Sequence, residues 1–299
     1  MNKVYWGDCR DSMRIMAKEG IKVQTCITSP PYYGLRDYGV DGQIGAEESP
    51  QQFIDALVEV FACVWDILAD DGTLWVNLGD TYSAGGRGAG SKVQSANKGS
   101  VTGNVLGTWK VDGYRPKNLL GMPWRLAFAL QEFGWNLRQD IIWHKPNPMP
   151  ESVTDRCTKA HEYFFLLSKS QKYYFDNKAI QEAANYPNDD RGSRGDSRRG
   201  TECNSMSGKT GDTRNKRSVW TVNTSSFKGA HFATYPIELI EPCILAGSRV
   251  GDIVLDPFFG SGTTGQAAQN LGRKWIGCEL NKTYEKLQNG RVAQGGLEL

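Results

Sequence analysis

Four residues with the potential for chemistry, Ser29, Pro30, Pro31 and Tyr32, directly follow an apolar segment at 23–28 that predicts a buried strand. Proline fixes φ and has no backbone donor, so the chain cannot continue pairing beyond Pro30. The result is a rigid corner that offers a serine hydroxyl, free carbonyl groups and an aromatic face. Such a corner suits a flat molecule that presents N–H groups. Open α/β sheets bind ligands at this carboxyl edge.

A second motif lies near the other end of the chain. The run from Gly260 to Gly265 fits G-x-G-x-x-G and separates a predicted strand, 253–255, from a predicted helix. Glycines allow a ligand close to the backbone, the helix start offers free N–H groups, and Glu279, which ends the next strand, can bind ribose hydroxyls. The motif therefore indicates an adenosine-type cofactor.

Other interpretations of this motif remain open. No Gly-Lys-Ser/Thr follows, which excludes a Walker loop. A nicotinamide oxidoreductase is compatible with the motif alone, although only 34 residues follow Gly265, too few for a full dinucleotide-binding half. A tight strand-to-helix turn without a ligand is the structural alternative.

Predicted strands and helices alternate along the chain, which indicates an α/β fold with a mostly parallel sheet and helices on both faces. We expect a single domain over 1–299. Residues 163–167 and 173–175 predict a further pair of strands joined by a turn.

Composition excludes several classes of protein. Hydrophobic residues make up 39% of the chain and charged residues 23%, and no apolar run is long enough to span a membrane. The seven cysteines include no C-x-x-C, which argues against a disulfide framework or a zinc site and predicts a reducing cytoplasm. Cys243 follows a proline but lies at helical apolar spacing, so we interpret it as a core residue rather than a nucleophile.

Two irregular segments are basic. Residues 82–118 hold eight glycines and six Lys or Arg against one acidic residue, and residues 185–217 hold five glycines and eight Lys or Arg against five acidic residues. Such segments are candidates for contact with phosphates. Solvated loops without a ligand are the alternative.

Taken together, the two motifs resemble those of the S-adenosylmethionine-dependent amino-methyltransferases of DNA, in their β order. The family's D/N/S-P-P-Y/F motif corresponds to residues 29–32, and its F-x-G-x-G motif to residues 258–262. Further matches are 7–8, 141–148 and 231–236, so the resemblance covers nearly the whole chain. It implies a seven-stranded, Rossmann-like methyltransferase sheet carrying two basic insertions.

The resemblance also implies roles for individual residues. The catalytic residues are Ser29, Pro30, Pro31 and Tyr32. The cofactor-binding residues are Asp8, Thr28, His231, Asp256, Phe258, Gly260, Ser261, Gly262, Thr263 and Glu279. Asp8 could instead be only a helix N-cap, and His231 a histidine without a ligand role. The methyl donor is S-adenosylmethionine, and no metal is required.

The implied substrate is an exocyclic amino group of a base flipped out of double-stranded DNA. Adenine N6 is narrowly favoured, because residues 28–39 resemble solitary, prophage-like members of the family that include adenine-modifying ones. Cytosine N4 is the alternative, because serine heads the motif in many cytosine-N4 enzymes. Residues 82–118 are expected to form a mobile DNA-facing insertion and 180–225 the target-recognition region. The candidate DNA-binding residues are Arg87, Lys92, Lys98, Arg191, Arg194, Arg198, Arg199, Lys209 and Arg214.

Rival functions remain at this point. One is a nicotinamide-dependent oxidoreductase and another is a non-catalytic DNA-binding relative. Related tetrapeptides also serve RNA and protein-amide substrates. The resemblance further suggests that the protein could form a homodimer.

Overall fold

The computed structural model describes residues 2–35, 38–83, 111–184, 212–224 and 235–294, in which one eight-stranded sheet is accompanied by a two-stranded ribbon. The strands of the sheet are β1 (Asn2–Trp6), β2 (Val23–Thr28), β3 (Leu68–Leu78), β4 (Asn136–His144), β5 (His161–Ser168), β8 (Val219–Thr221), β9 (Ile253–Asp256) and β10 (Lys274–Glu279). The ribbon consists of β6 (Glu182–Ala183) and β7 (Thr213–Arg214).

The spatial order of the strands is β1-β10-β9-β2-β3-β5-β4-β8. All neighbouring pairs are parallel except those of β5, which runs antiparallel to β3 and β4. This confirms the predicted α/β class with a mostly parallel sheet. Because β2 and β9 pair directly, the proline corner after β2 and the glycine loop after β9 leave the sheet side by side.

Within the described ranges, six α-helices flank the sheet: α1 (Cys9–Lys18), α2 (Pro50–Ile67), α3 (Met122–Phe133), α4 (Ile237–Gly247), α5 (Thr263–Asn270) and α6 (Glu285–Gln294). The start of α2 shows how local sequence sets these boundaries. Ser49 and Gln52 form a capping box, and Pro50 occupies the first turn, where its missing N–H costs nothing. No helix in the described ranges is long and apolar enough to cross a membrane.

Strand alternation divides the interior into two cores. In β3, Leu74 and Val76 pack with α1, α2 and α3, whereas Trp75 faces the opposite core with α4 and α5. Cys243 is fully buried in this second core, as predicted, and lies in α4. The sheet is therefore covered by helices on both faces, which fixes the ends of its strands.

Two details of the sheet differ from prediction. Among the described residues the sheet has eight strands rather than seven, because β8 pairs with the edge of β4. The prediction of a strand at 173–175 is wrong. The Tyr174 N–H donates to the Asp71 carbonyl oxygen at 2.8 Å, and the Phe175 ring stacks on Trp75 with centroids 6.3 Å apart. The aromatic run at 173–175 therefore packs against the sheet and does not pair within it.

The two basic segments are described only at their ends. In 82–118, Tyr82 forms an isolated bridge with Leu119. In 180–225, the described residues form the β6–β7 ribbon and β8. Of the nine candidate DNA-binding residues, Arg214 is described. The other eight lie outside the described residues: Arg87, Lys92, Lys98, Arg191, Arg194, Arg198, Arg199 and Lys209.

The packing of Phe259 makes the fold testable at Gly277. A Cβ at Gly277 would lie 2.3 Å from the Phe259 ring, which stacks on Trp275 with centroids 5.0 Å apart. We expect Gly277→Ala to lower the free energy of unfolding by about 1–3 kcal/mol through overpacking, measured by denaturant titration. Gly290→Ala is the matched control, because no atom lies within 4 Å of its added Cβ. Equal stability of the two variants would contradict this account.

Candidate active site

A cleft lies at the carboxyl ends of four neighbouring strands, β1, β10, β9 and β2. The predicted residues in its wall are Asp8, Ser29, Pro31, Phe258, Gly260, Ser261 and Glu279. The structure thus brings the proline corner and the glycine loop to one cleft, although they are about 230 residues apart in sequence. Residues 38–44, which sequence reasoning did not assign, contribute Tyr38, Val40 and Ile44 to the same wall.

The proline corner presents Ser29 to the cleft. The Ser29 hydroxyl donates to the Asn77 side-chain oxygen at 3.2 Å. Asn77 lies near the end of β3, the neighbour of β2, so the two side chains meet where both strands end. This hydrogen bond leaves the lone pairs of the serine oxygen available to accept.

Tyr32 is held from two sides. Its ring lies against Gly79, where a Cβ would be only 2.5 Å from Cε2. Its hydroxyl donates to Glu162 Oε2 at 2.6 Å. Burial, with the nearby Glu162 charge, raises the pKa of Tyr32 well above its usual value, so the phenol stays protonated and acts as a donor. Neither Asn77 nor Glu162 was singled out from the sequence. The only available signal was a polar residue, Asn77, within the apolar run that ends β3 at Leu78.

The glycine loop depends on left-handed backbone. Gly260 has φ +53° and Gly262 has φ +88°, a region that residues with side chains rarely adopt. The Gly260 carbonyl accepts from Gln288 Nε2 at 2.7 Å, which ties the loop to α6. Ser261 is buried in the cleft wall, and its hydroxyl has no hydrogen-bond partner among the described residues. An unsatisfied hydroxyl at this point suits a polar ligand group.

Glu279 ends β10 beside this loop. Its two carboxylate oxygens accept the backbone N–H groups of Gly260 at 2.7 Å and Asn281 at 2.8 Å. Each oxygen retains a lone pair for a ligand hydroxyl. Burial raises the pKa of Glu279 to about 7, even though both hydrogen bonds favour the charged form.

Asp8 contributes a second carboxylate to the cleft. It caps α1 by accepting from the Arg10 N–H at 2.8 Å, and the Arg10 guanidinium contacts it at 2.6 Å. Hydrogen bonding to Arg10 lowers the pKa of Asp8 below its ordinary value. The two interpretations of Asp8 are therefore compatible, because it is a helix N-cap and also lines the cleft.

Three predicted cofactor-binding residues bind other protein side chains: Thr28, Asp256 and Thr263. Asp256 is buried and accepts from Thr28 Oγ1 at 2.6 Å, and the Thr263 hydroxyl accepts from Arg291 in α6. None of the three is part of the cleft wall, nor are Pro30, Tyr32 and Gly262. Their contact with a cofactor or substrate stays a prediction.

Two predicted residues remain, His231 and Arg214. His231 lies outside the described residues. Arg214 is described, and its Nε donates to Glu182 at 2.9 Å across the β6–β7 ribbon. Within the described ranges, no group of three or more His, Cys, Asp or Glu side chains could hold a metal ion.

The fold and the cleft define a class: α/β proteins that bind an adenosine-type cofactor beside a proline corner. The family described as DNA methylase, N6_N4_Mtase, matches residues 23–289. The chain belongs to this family of DNA methylases. Together with the relatives below, this membership identifies it as a DNA amino-methyltransferase that uses S-adenosylmethionine.

Two relatives resemble nearly the whole chain. Type II methyltransferase M.SmaI of Serratia marcescens is 47% identical over 291 residues, which cover 97% of this chain and 90% of that protein. Type II methyltransferase M.Cfr9I of Citrobacter freundii is 49% identical over 272 residues, which cover 90% and 81%.

Solved structures share the fold at lower identity. PvuII DNA methyltransferase (cytosine-N4-specific) superposes with a TM-score of 0.64 at 19% identity and covers 99% of this chain and 86% of its own. TTHA0409 from Thermus thermophilus, complexed with S-adenosyl-L-methionine, superposes with a TM-score of 0.62 at 23% identity and covers 100% and 96%.

The raised pKa of Glu279 predicts that cofactor affinity depends on pH. With a pKa of about 7, the ionised fraction of Glu279 falls roughly tenfold between pH 8 and pH 6. The ionised carboxylate accepts hydrogen bonds from ribose hydroxyls more strongly than the neutral acid does. We therefore expect the Kd for S-adenosylhomocysteine to rise, by at most about tenfold over this range, measured by calorimetry. Glu279→Gln should bind more weakly and show a flat profile. A pH-independent Kd in the native protein would contradict the assignment.

Proposed function

We propose that this protein is a site-specific methyltransferase that modifies an exocyclic amino nitrogen of a base flipped out of duplex DNA. One observation supports this above the others: Ser29 and Pro31 line the same cleft as Gly260 and Glu279. That arrangement puts a place for a flat, amino-bearing ring next to a place for an adenosine cofactor. It also argues against a nicotinamide oxidoreductase, for which the proline corner has no purpose.

The residues of the cleft fit S-adenosylmethionine. Glu279 offers lone pairs to ribose hydroxyls, Asp8 offers a carboxylate oxygen to the adenine amino group, and Ser261 has an unpartnered hydroxyl for the methionine part. Phe258 contributes apolar wall beside them. When bound, the cofactor supplies a methyl group activated by its sulfonium charge.

Ser29 and Pro30 are proposed to orient the amine. The amino lone pair of adenine or cytosine is delocalised into the ring, so reaction requires a more tetrahedral nitrogen. The Ser29 oxygen and the Pro30 carbonyl can accept its two N–H groups and hold that geometry. Orientation of this kind can lower a barrier by roughly 7–11 kcal/mol. The methylated nitrogen is acidic and loses its proton readily, so no strong general base is required.

Tyr32 is proposed to receive the flipped base. Extrusion from the duplex costs a few kcal/mol, and stacking on an aromatic ring contributes about 1–3 kcal/mol per base. The hydroxyl of Tyr32 is already bound to Glu162, so the ring is fixed before the base arrives.

We infer that cytosine N4 is the preferred target and adenine N6 the alternative, which reverses the narrow preference for adenine drawn from the sequence. The acceptors near Ser29 that could bind an amine are neutral oxygens. The carboxylate of Glu162 lies nearby, but it already accepts from Lys145, Tyr32 and Asn77. Serine in this setting is typical of many cytosine-N4 enzymes, and a fold neighbour is named as cytosine-N4-specific. Support for adenine comes from the resemblance of residues 28–39 to solitary, adenine-modifying members of the family.

We place the DNA along the rim of the cleft. Segment 180–225 is the proposed target-recognition region and 82–118 the proposed segment that closes over the base. The described cysteines are free thiols, consistent with work on DNA in a reducing cytoplasm. A homodimer remains a proposal from the family resemblance.

The target base can be identified directly. We expect incubation of unmethylated, amplified genomic DNA with the protein and labelled S-adenosylmethionine to yield N4-methyldeoxycytidine, identified by mass analysis of digested nucleosides. N6-methyldeoxyadenosine would instead establish the adenine alternative. Absence of any methylated nucleoside would indicate a non-catalytic DNA-binding relative.

Tyr32 can be tested separately from cofactor binding. We expect Tyr32→Ala to lower the methylation rate by about 5- to 150-fold, because a stacking surface worth about 1–3 kcal/mol is lost. Affinity for S-adenosylhomocysteine should be unchanged, since Tyr32 is not part of the cleft wall. Tyr173→Ala is the control, because that ring lies beside Phe175 and Arg138, away from the proline corner. Unchanged turnover in Tyr32→Ala would remove the assignment.

A further inference from the structure

A largely desolvated, part-buried ion pair lies directly behind the proline corner. Lys145 follows β4, Glu162 is the second residue of the antiparallel neighbour β5, and their side chains form a salt bridge at only 16% and 14% exposure. The Lys145 N–H also donates to the Ala160 carbonyl oxygen at 2.8 Å, which holds the two strand ends together. Ion pairs, whether exposed or withdrawn from water, are weak sources of stability, so this pair calls for another explanation.

Glu162 uses both carboxylate oxygens. Lys145 binds Oε1, while Oε2 accepts from the Tyr32 hydroxyl at 2.6 Å and from Asn77 Nδ2 at 3.3 Å. The carboxylate therefore contacts Tyr32 of the tetrapeptide and the one side chain that accepts from Ser29. It does not line the cofactor cleft.

Glu162 also fixes which way the Asn77 amide points. Asn77 Nδ2 faces two acceptors, Glu162 Oε2 and the Tyr163 carbonyl oxygen at 3.0 Å, so the amide nitrogen must occupy that side. Asn77 Oδ1 then faces the Ser29 hydroxyl at 3.2 Å and the Tyr32 hydroxyl at 3.1 Å. Since Oδ1 can only accept, the Ser29 hydroxyl must donate to it, and the serine lone pairs remain for an incoming N–H.

We propose that Glu162, held by Lys145, is a positioning residue that fixes the Tyr32 ring and sets Ser29 as a hydrogen-bond acceptor toward the target amine. The inference rests on the proposed function, because Glu162 acts only through these two residues. It assigns a role to a carboxylate that contacts neither cofactor nor base.

The test is Glu162→Gln, which keeps the shape of the side chain. Its NH₂ group cannot accept from the Tyr32 hydroxyl and Asn77 Nδ2, which both donate to Glu162 Oε2. We expect the single-turnover methylation rate on unmethylated, amplified genomic DNA to fall on the order of 10²-fold, the cost of a small misplacement of reacting groups. The Kd for S-adenosylhomocysteine should equal that of the wild type. Glu151→Gln is the matched control, because Glu151 pairs with Arg156 in the same β4–β5 connection and does not contact the tetrapeptide.

A double-mutant cycle separates positioning from a general loss of structure. Tyr32→Phe removes the hydroxyl that Glu162 accepts, so its effect combined with Glu162→Gln should be less than multiplicative. Multiplicative effects would overturn the positioning role. If the unpaired lysine unfolds Glu162→Gln, the variant Lys145→Gln/Glu162→Gln leaves no lone buried charge and should still be slow.

The outcomes also distinguish this inference from the proposed function. Wild-type activity in a folded Glu162→Gln or double variant overturns the positioning role alone. If the wild-type protein incorporates no methyl group into DNA, the proposed function fails and this inference fails with it.

Discussion

The buried carboxylate of Asp256 joins the two halves of the candidate site. It accepts from Thr28 at the end of β2, from Tyr235 just before α4, and from Thr264 in α5. The Phe258 N–H donates to it as well, so the first residues of the glycine loop turn around the same group. Burial raises the pKa of Asp256, and the hydrogen bonds from Thr264, Thr28, Phe258 and Tyr235 oppose that rise. Removing one partner of such a buried, satisfied group is costly, so the distance between the proline corner and the glycine loop is fixed.

The loop that leaves Asp256 is held from its other side by an aromatic side chain. Phe259 packs flat on Trp275 of β10, and both Gly265 and Gly277 make room for its ring. The last glycine of the G-x-G-x-x-G motif therefore serves helix–sheet packing rather than ligand contact. With Phe259 buried, its neighbours Phe258 and Gly260 are turned toward the cleft. The packing of Phe259 in the core thus determines which residues a bound cofactor would contact.

Much of this could be predicted from sequence because it depends on local rules. Prolines that end a strand, glycines between a strand and a helix, and alternating elements each have a physical signature within a few residues. The motifs at 29–32 and 260–265 were therefore found, and the family with them. Hydrogen-bond partners that lie on distant strands could not be predicted in this way. The family resemblance predicts a cofactor contact for Asp256, which stays a prediction, but it could not show that a protein partner of Asp256 is Thr28, 228 positions away. The two aromatic runs near Tyr163 and Tyr173 look alike in sequence, and only the first pairs in the sheet.

The polar residues behind the tetrapeptide explain why a serine suits its first position. Asn77 presents an acceptor, Oδ1, to residue 29, and the amide cannot turn over because its nitrogen is held by Glu162 and the Tyr163 carbonyl. A serine answers this acceptor with a donor. An aspartate would set a carboxylate oxygen against it, and two acceptors cannot hydrogen-bond to each other. The choice of residue 29, the amide of Asn77 and the Lys145–Glu162 pair are therefore one arrangement, in which changing any member changes what the other two can bind.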